Sequence, residues 1–455
     1  MFSAQPSRVR AEAGRSFGDF GVLAEMRGTP SLARAARREF VLQTRPFASS
    51  AVASAGLGLP GGVLRLRPVI SGRGLLTTVA GTMQSVTEAT QRTDVQYAWP
   101  EALTRPAPDI RLVYLDQKDW INLAKAVTGH SEGPLYQDAL DVLRDAKDSG
   151  RVVFPLSMTH FMEMSGTKSA RHRAEVADVM EELSGFATLI ARDVLMRVEL
   201  EAVLDVVAKP WSQRNAAIPL VGHGAPFALG KQGQFRVRSG DQDVTEEVRQ
   251  AHPGGVEEFD QVIAKATDDL DRAILRGPTD AEVPRLKGYG WDPAVARTIA
   301  EERAQHEREQ VARFDDPTLV VDDTTQWRRE RVRDVVRARY VIFELMNMLT
   351  EGLGARGLEI EDVWSDPEAA RRVVDAMPSA DVSVSLMTEY HRNPQFRWGS
   401  NDIFDIDALS VAVAYCDLVV TDKQAADALR RARVPERLGS QVFTNLDDLA
   451  DVLRG

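Results

Sequence analysis

The stretch NDIFDIDALSVAVAYCDLVVTDKQ, residues 401–424, decides how this chain is read. Residues 401–416 are apolar around most of a helical circumference and carry acids only near their start, which predicts a buried helix. DLVVTD (417–422) predicts a short strand that ends in an acid. KQAADALRRA (423–432) predicts the next helix. SQVFTNLDDLADVL (440–453) predicts a last strand and helix, with Asn445 placed to cap that helix.

The same grammar recurs far upstream. IRLVYLD (110–116) is a short apolar run rich in β-formers and again ends in an acid. An amphipathic pattern follows from Trp120 to Ala126. A second, at 135–148, puts Leu135, Ala139, Leu140 and Leu143 on one face. Gly150 ends it, and RVVFP (151–155) reads as another buried strand. Strand, helix, strand in this order predicts a βαβ unit and a parallel sheet.

Between these two blocks, residues 168–400 are mostly helical by pattern. Charged segments with 3.6-residue apolar spacing lie at 171–208, 256–276, 292–314 and 325–352. Breaks rich in Gly and Pro separate them, notably 209–240. No fixed-period repeat occurs, so the region is expected to be a helical insertion and not a second α/β core. Residues 1–109 contain no Lys, and Arg outnumbers Asp plus Glu there. Stretches such as ASSAVASAGLGLPGG (48–62) predict weak order; an Arg-rich, acid-poor start also resembles a transit peptide. Gly56-Leu57-Gly58-Leu59-Pro60-Gly61 matches GxGxxG, but no strand precedes it and no helix opens within it, so it is not a dinucleotide site. Three units follow: 1–109, the α/β unit of 110–167 with 401–455, and the helical insertion 168–400.

Bulk composition narrows the function. At 455 residues, 44% hydrophobic and 27% charged, the chain has the make-up of a globular protein of more than one unit. Mean hydropathy is -0.25, and no apolar run is long enough to span a bilayer. The single cysteine, Cys416, excludes an internal disulfide and fits a reducing, cytoplasmic setting. No CxxC pair or HxxxH spacing exists, which argues against structural zinc. A net charge of -11 argues against a broad basic surface that coats nucleic acid.

The acids fall into a pattern. Asp116 ends the first strand, Asp422 ends the VVTD strand, and Asp402 and Asp405 begin the helix before it. In parallel α/β sheets ligands bind beyond the carboxyl ends of the strands, so these side chains are expected to converge on one cleft. Glu163 joins them, about two turns into a helix that Ser157 caps and that Leu156, Met158, Phe161 and Met162 bury. A carboxylate among such neighbours needs a partner; Lys168, Arg171 and Arg173 are the nearby cations. Clustered carboxylates repel one another, and an all-oxygen set selects Mg²⁺ or Mn²⁺. The chemistry that suits such a set is phosphodiester hydrolysis, with no Ser or Cys nucleophile.

At this point the chain resembles the PIN domain nucleases, a family that includes many toxin–antitoxin ribonucleases. The resemblance rests on YLD (114–116), LSMTHFMEMSG (156–166) and the 401–424 block. It implies a parallel αβα sandwich, Mg²⁺ or Mn²⁺, and RNA or single-stranded nucleic acid as substrate. It also implies Asp116, Glu163, Asp405 and Asp422 as the catalytic, metal-holding acids, with Glu163 paired in its motif with Gly166. Asp402, Asp405 and Asp407 are all candidates for the third acid. Spacing favours Asp405, Asp402 lies about one turn away, and Asp407 points about 200° away from Asp405 on a helix. The resemblance covers only 110–166 and 401–455, because the long helical region separates the second and third acids.

Other residues carry weaker readings. Arg329, Arg333 and Arg337 recur every four residues in WRRERVRDVVRARY (327–340) and are candidate phosphate contacts or a solvated face paired with acids. His160 is expected to pack or hydrogen-bond. Thr421 is a candidate to orient a metal-bound water, and Asn401 is a candidate cap or donor to a ligand carboxylate. A non-catalytic scaffold, with the helical insertion binding a protein partner or inhibitor, is the competing function. A haloacid-dehalogenase phosphatase is disfavoured, because Lys118 stands where its general acid is required.

Overall fold

The computed structural model describes residues 96–208, 216–231, 237–239, 242–288, 292–315, 331–363 and 367–455. The expected weak order of residues 1–95, the Gly56–Gly61 motif and Arg329 lie outside the described residues.

The α/β part opens with β1 (Arg111–Leu115), α1 (Gln117–Val127), α2 (Gln137–Asp148), β2 (Val152–Val153) and α3 (Met158–Gly166). It continues with α4 (Ala170–Ser184), β3 (Ala187–Leu189), α5 (Arg192–Val207) and β4 (Val221–His223). The helical part contains α6 (Gly255–Arg276), α7 (Ala294–Asp315), α8 (Val332–Tyr340), α9 (Met346–Ala355), α10 (Pro367–Ala376) and α11 (Pro378–Arg392). The chain closes with α12 (Ser400–Tyr415), β5 (Leu418–Val420), α13 (Lys423–Arg431), β6 (Gln441–Phe443) and α14 (Leu446–Arg454).

A four-stranded parallel sheet runs in the order β6-β5-β1-β2. Alternation along β1 explains its continuous apolar run. Leu112 and Tyr114 enter the core shared with α12, whereas Val113 and Leu115 enter the core shared with α1, α2 and α14. Both faces are covered by helices, as parallel sheets require. Beyond β2, Leu156 forms a parallel bridge to Thr188: its N–H donates to Ala187 O at 2.8 Å, and Leu189 N–H donates to Leu156 O at 2.7 Å. β3 therefore extends the sheet. Numbered along the chain, the five parallel segments lie in the spatial order 3-2-1-4-5, and the order reverses between β1 and β5.

Two expectations change. The helical pattern of 171–208 is broken at Gly185, which ends α4 with φ 54° in the left-handed region and frees the chain to form β3. The α/β frame thus extends past residue 167, and the helical part shares its cores instead of standing apart: Val382, Leu386 and Tyr390 of α11 pack with Ile403, Phe404 and Ile406 of α12. Residues 96–109, expected to be weakly ordered, are packed. Tyr97 Oη donates to Asp381 at 2.7 Å, Ala98 N–H donates to Ala376 O at 2.9 Å, and Leu103–Thr104 pairs with Ile218–Pro219. Among the described residues no helix is long and apolar enough to cross a membrane.

Candidate functional site

Asp116 is the first residue past β1 and the cap of α1. Its N–H donates to Val420 O at 3.1 Å, and its carbonyl accepts from Asp119 N at 2.9 Å. Asp422 caps α13 through its side chain, with Oδ1 accepting from Gln424 N at 2.6 Å and Ala425 N at 3.0 Å. Both acids therefore stand at the carboxyl ends of neighbouring strands, where the strand order reverses and α/β sheets open a crevice.

His160 places Glu163 beside them. Its Nδ1 accepts from Ser157 N–H at 3.0 Å, so the ring proton sits on Nε2, which donates to Leu115 O at 3.0 Å. This bond ties the first turn of α3 to the residue before Asp116. The ring is buried and stacks on Tyr114 at 5.2 Å; burial lowers its pKa to about 4, which keeps it neutral. Glu163, three residues on, lies on a neighbouring face of the same helix. The expected cation partners go elsewhere. Arg171 pairs with Glu175 at 2.7 Å, and the Arg173 guanidinium binds the carbonyls of Thr167, Lys168, Arg276 and Pro278. Among the described residues nothing pairs with the Glu163 carboxyl.

On α12, Asp402 Oδ2 accepts from Gly399 N–H at 2.7 Å, which closes the start of the helix. Asp405 follows about one turn later, with no hydrogen-bond partner among the described residues. Asp407 turns to the opposite side of α12, where Arg303 holds it.

The charges of these side chains act on one another. Asp405 is pushed up to about 9, first by burial, then by Asp116, Glu163, Asp422 and Asp402. Glu163 is pushed up to about 8 by burial and by Asp116. Asp116 is raised by burial and by Asp422, against the pull of Lys118. Asp402 is raised by burial and by Asp422, against the Gly399 amide. All five acids are half-buried, as cleft-lining groups are. They converge without closing: among the described residues no three His, Cys, Asp or Glu side chains stand together as a ligand set. Mutual repulsion opposes such closure. The donor chemistry is all-oxygen and hard, which fits Mg²⁺ or Mn²⁺ and not a soft metal.

The structure redirects the arginines expected to contact phosphate. Arg333 binds Asp381 at 2.6 Å and Ser385 at 2.9 Å. Arg337 is 2% exposed and binds both oxygens of Asp375, at 3.0 and 2.9 Å, as well as Asp334. These internal pairs replace the expected surface contacts. Thr421 is buried, and its N–H donates to Phe443 O at 3.0 Å, joining the strand end to β6. Asn401 is exposed. Lys118 binds the Asp119 carboxylate at 2.8 Å.

His160 packs and hydrogen-bonds as the sequence reading expected, with Ser157 at the cap of its helix. Sequence reasoning missed one support, Tyr390 of α11, which no local signal marks. It is buried against the cleft, and Asp422, Asp405 and Asp402 add to burial in raising its hydroxyl pKa. No protein-family profile, curated protein or solved structure matches this chain.

Proposed function

We propose that this chain is a divalent-metal-dependent phosphodiesterase, and specifically an endoribonuclease of the PIN type that acts as a toxin or defence effector in the cytoplasm. The observation that carries this reading is the convergence of Asp116, Glu163, Asp402, Asp405 and Asp422 at the reversal point of a parallel sheet covered by helices on both faces. Two of these carboxyls, Glu163 and Asp405, have no protein partner among the described residues to offset the cost of burial.

Asp116, Glu163, Asp405 and Asp422 are the residues that would hold Mg²⁺ or Mn²⁺, with Asp402 beside them. The chemistry such a cation supplies is Lewis-acid activation of water and neutralisation of charge on the leaving oxygen. The chain itself fixes the donors. The two amides at the start of α13 donate to Asp422 Oδ1, and Oδ2 has no hydrogen bond among the described residues. His160 holds α3 against β1, which keeps Glu163 in reach of Asp116. Incubation of the purified protein with RNA and Mg²⁺ or Mn²⁺ should yield cleavage that Asp116→Ala abolishes. Equal cleavage by that variant sinks the proposal.

A second reading, a non-catalytic scaffold, draws support from the lack of a closed ligand set among the described residues. Its partner surface would lie on the helical part, where Ile342 and Phe343 are 56% and 65% exposed. Calorimetric titration with Mn²⁺ separates the two: a live site binds, and Asp422→Asn binds less, whereas a scaffold binds neither way.

A further inference from the structure

Two exposed cations, Arg397 and Lys423, stand beside residues of the carboxylate cleft in the chain and have no ion pair among the described residues. Phe396 and Trp398 are 9% and 4% exposed, and Arg397 between them is exposed. The Phe396 ring stacks on Tyr390 at 4.4 Å, and Trp398 meets the same ring edge-on at 5.7 Å. Arg308 Nη1 donates to Trp398 O at 2.8 Å. The backbone is thus clamped on either side of Arg397, and its side chain projects to solvent two residues before the Gly399 amide that holds Asp402. Lys423 directly follows Asp422 and is exposed. Its neighbour Gln424 hydrogen-bonds the Tyr390 hydroxyl. One tyrosine therefore touches the neighbours of both cations, and its hydroxyl feels the charge of three of the acids.

Neither cation has an ion pair or hydrogen bond among the described residues. Guanidiniums near them in sequence are already spent: Arg392 and Arg431 bind Glu389 at 2.6 and 2.9 Å, and Arg430 donates to Val442 O at 2.7 Å. Lys423 also stands at the first position of α13, the end of the helix dipole that disfavours a cation. Stability does not account for it there. A phosphodiester approaching this acidic cleft on a chain of net charge -11 needs local positive charge. An arginine on a clamped backbone provides it with little further loss of freedom.

We infer that Arg397 and Lys423 are the phosphate contacts that hold a single RNA strand across the carboxylate cleft. The inference rests on the phosphodiesterase reading for the class of its ligand. Binding of a fluorescent oligouridine to the Asp116→Asn protein, in fixed Mg²⁺ and varied KCl, tests it without cleavage. Each contact to a single strand contributes ~0.7 to the slope of log affinity against log salt. Arg397→Ala and Lys423→Ala should each lower that slope by ~0.7, and the double variant by ~1.4, weakening all sequences alike. Arg397→Lys should restore the slope. Arg151, exposed at the opposite, amino end of β2, serves as the control, and Arg151→Ala should change nothing. Melting temperatures of all variants check that the fold is intact. An unchanged slope in the double variant overturns the inference, as does an equal fall in the Arg151 control. Protein that shows the expected slopes but cleaves no RNA in Mg²⁺ or Mn²⁺ refutes the nuclease reading and supports the phosphate contacts.

Discussion

Replacing Asp405 by Asn should make the protein more stable in divalent-free buffer. In the folded chain burial and four neighbouring acids push this carboxyl up to about 9, whereas a free aspartate titrates near ~3.9. A carboxyl raised on folding is protonated in the native state and ionised in the unfolded one. Stability is therefore intact below the unfolded value and is lost as pH climbs through the interval up to about 9. At pH 7 roughly three pH units of that interval have been crossed, which at ~1.4 kcal/mol per unit sets a ceiling of about 4 kcal/mol. Five acids share the repulsion and water reaches half-buried side chains, so the expected gain is about 1–2 kcal/mol. Asn keeps the shape and carries no charge in either state. Urea unfolding of both proteins in EDTA should show no gain near pH 4 and the full gain at pH 7. A variant that is destabilised at pH 7, or that gains equally at both pH values, refutes the argument that the acids are uncompensated.

Burial lowers His160 to about 4, below the ~6.5 of a free imidazole. Its neutral form therefore supports the fold above ~6.5, and that support is lost as pH falls toward about 4; His160→Gln should flatten the acid limb of the stability curve. Arg337→Ala removes two hydrogen bonds from the Asp375 carboxylate, which keeps Arg333 at 3.7 Å, and should cost about 3 kcal/mol in urea unfolding, yet leave the salt slope of RNA binding untouched. Gly224 has φ 82°, and an added Cβ runs into the Asp271 carboxylate, whose Oδ1 accepts from Ala225 N–H at 2.8 Å. Gly224→Ala should therefore cost at least ~2 kcal/mol by the same measure.

What was legible in the sequence was local. IRLVYLD could be read as a strand because both faces of β1 are buried, and the Asn445 cap is present, its side chain accepting from Asp448 N–H at 2.9 Å. The acids at the strand ends could be read because a short strand followed by a helix needs a cap at that place. What was not legible depends on distant partners. Ala187–Leu189 is too short to show a two-residue period, so only Gly185 hinted that one helix ends there. Residues 96–109 look disordered by composition, yet Tyr97 is held by Asp381, 284 positions away. The four-residue spacing of Arg333 and Arg337 defines a helix face, but α10 and α11 decide what covers it.

α12 shows why the helical part matters to the cleft. On its back face Asp407 takes two bonds from Arg303, at 2.5 and 3.0 Å, and lies 3.4 Å from Arg192 Nε. The same two arginines bind Glu344 at 3.2 and 2.9 Å, which closes a ring of two guanidiniums and two carboxylates with no net charge. Every acid in that ring is compensated by a cation delivered from α5 or α7. On the opposite face of the same helix, Asp402 has only a backbone amide and Asp405 has no partner among the described residues. A chain that neutralises buried acid so fully on one side had arginines to spend on the other. Leaving Asp405 bare beside Asp116, Glu163 and Asp422 raises its energy in the folded state, and a cation of the kind that binds hard oxygen donors removes that cost. The ring also fixes the rotation of α12, because turning it to hide Asp405 would pull Asp407 off both arginines. The helical part thus sets which acids face β1 and β5.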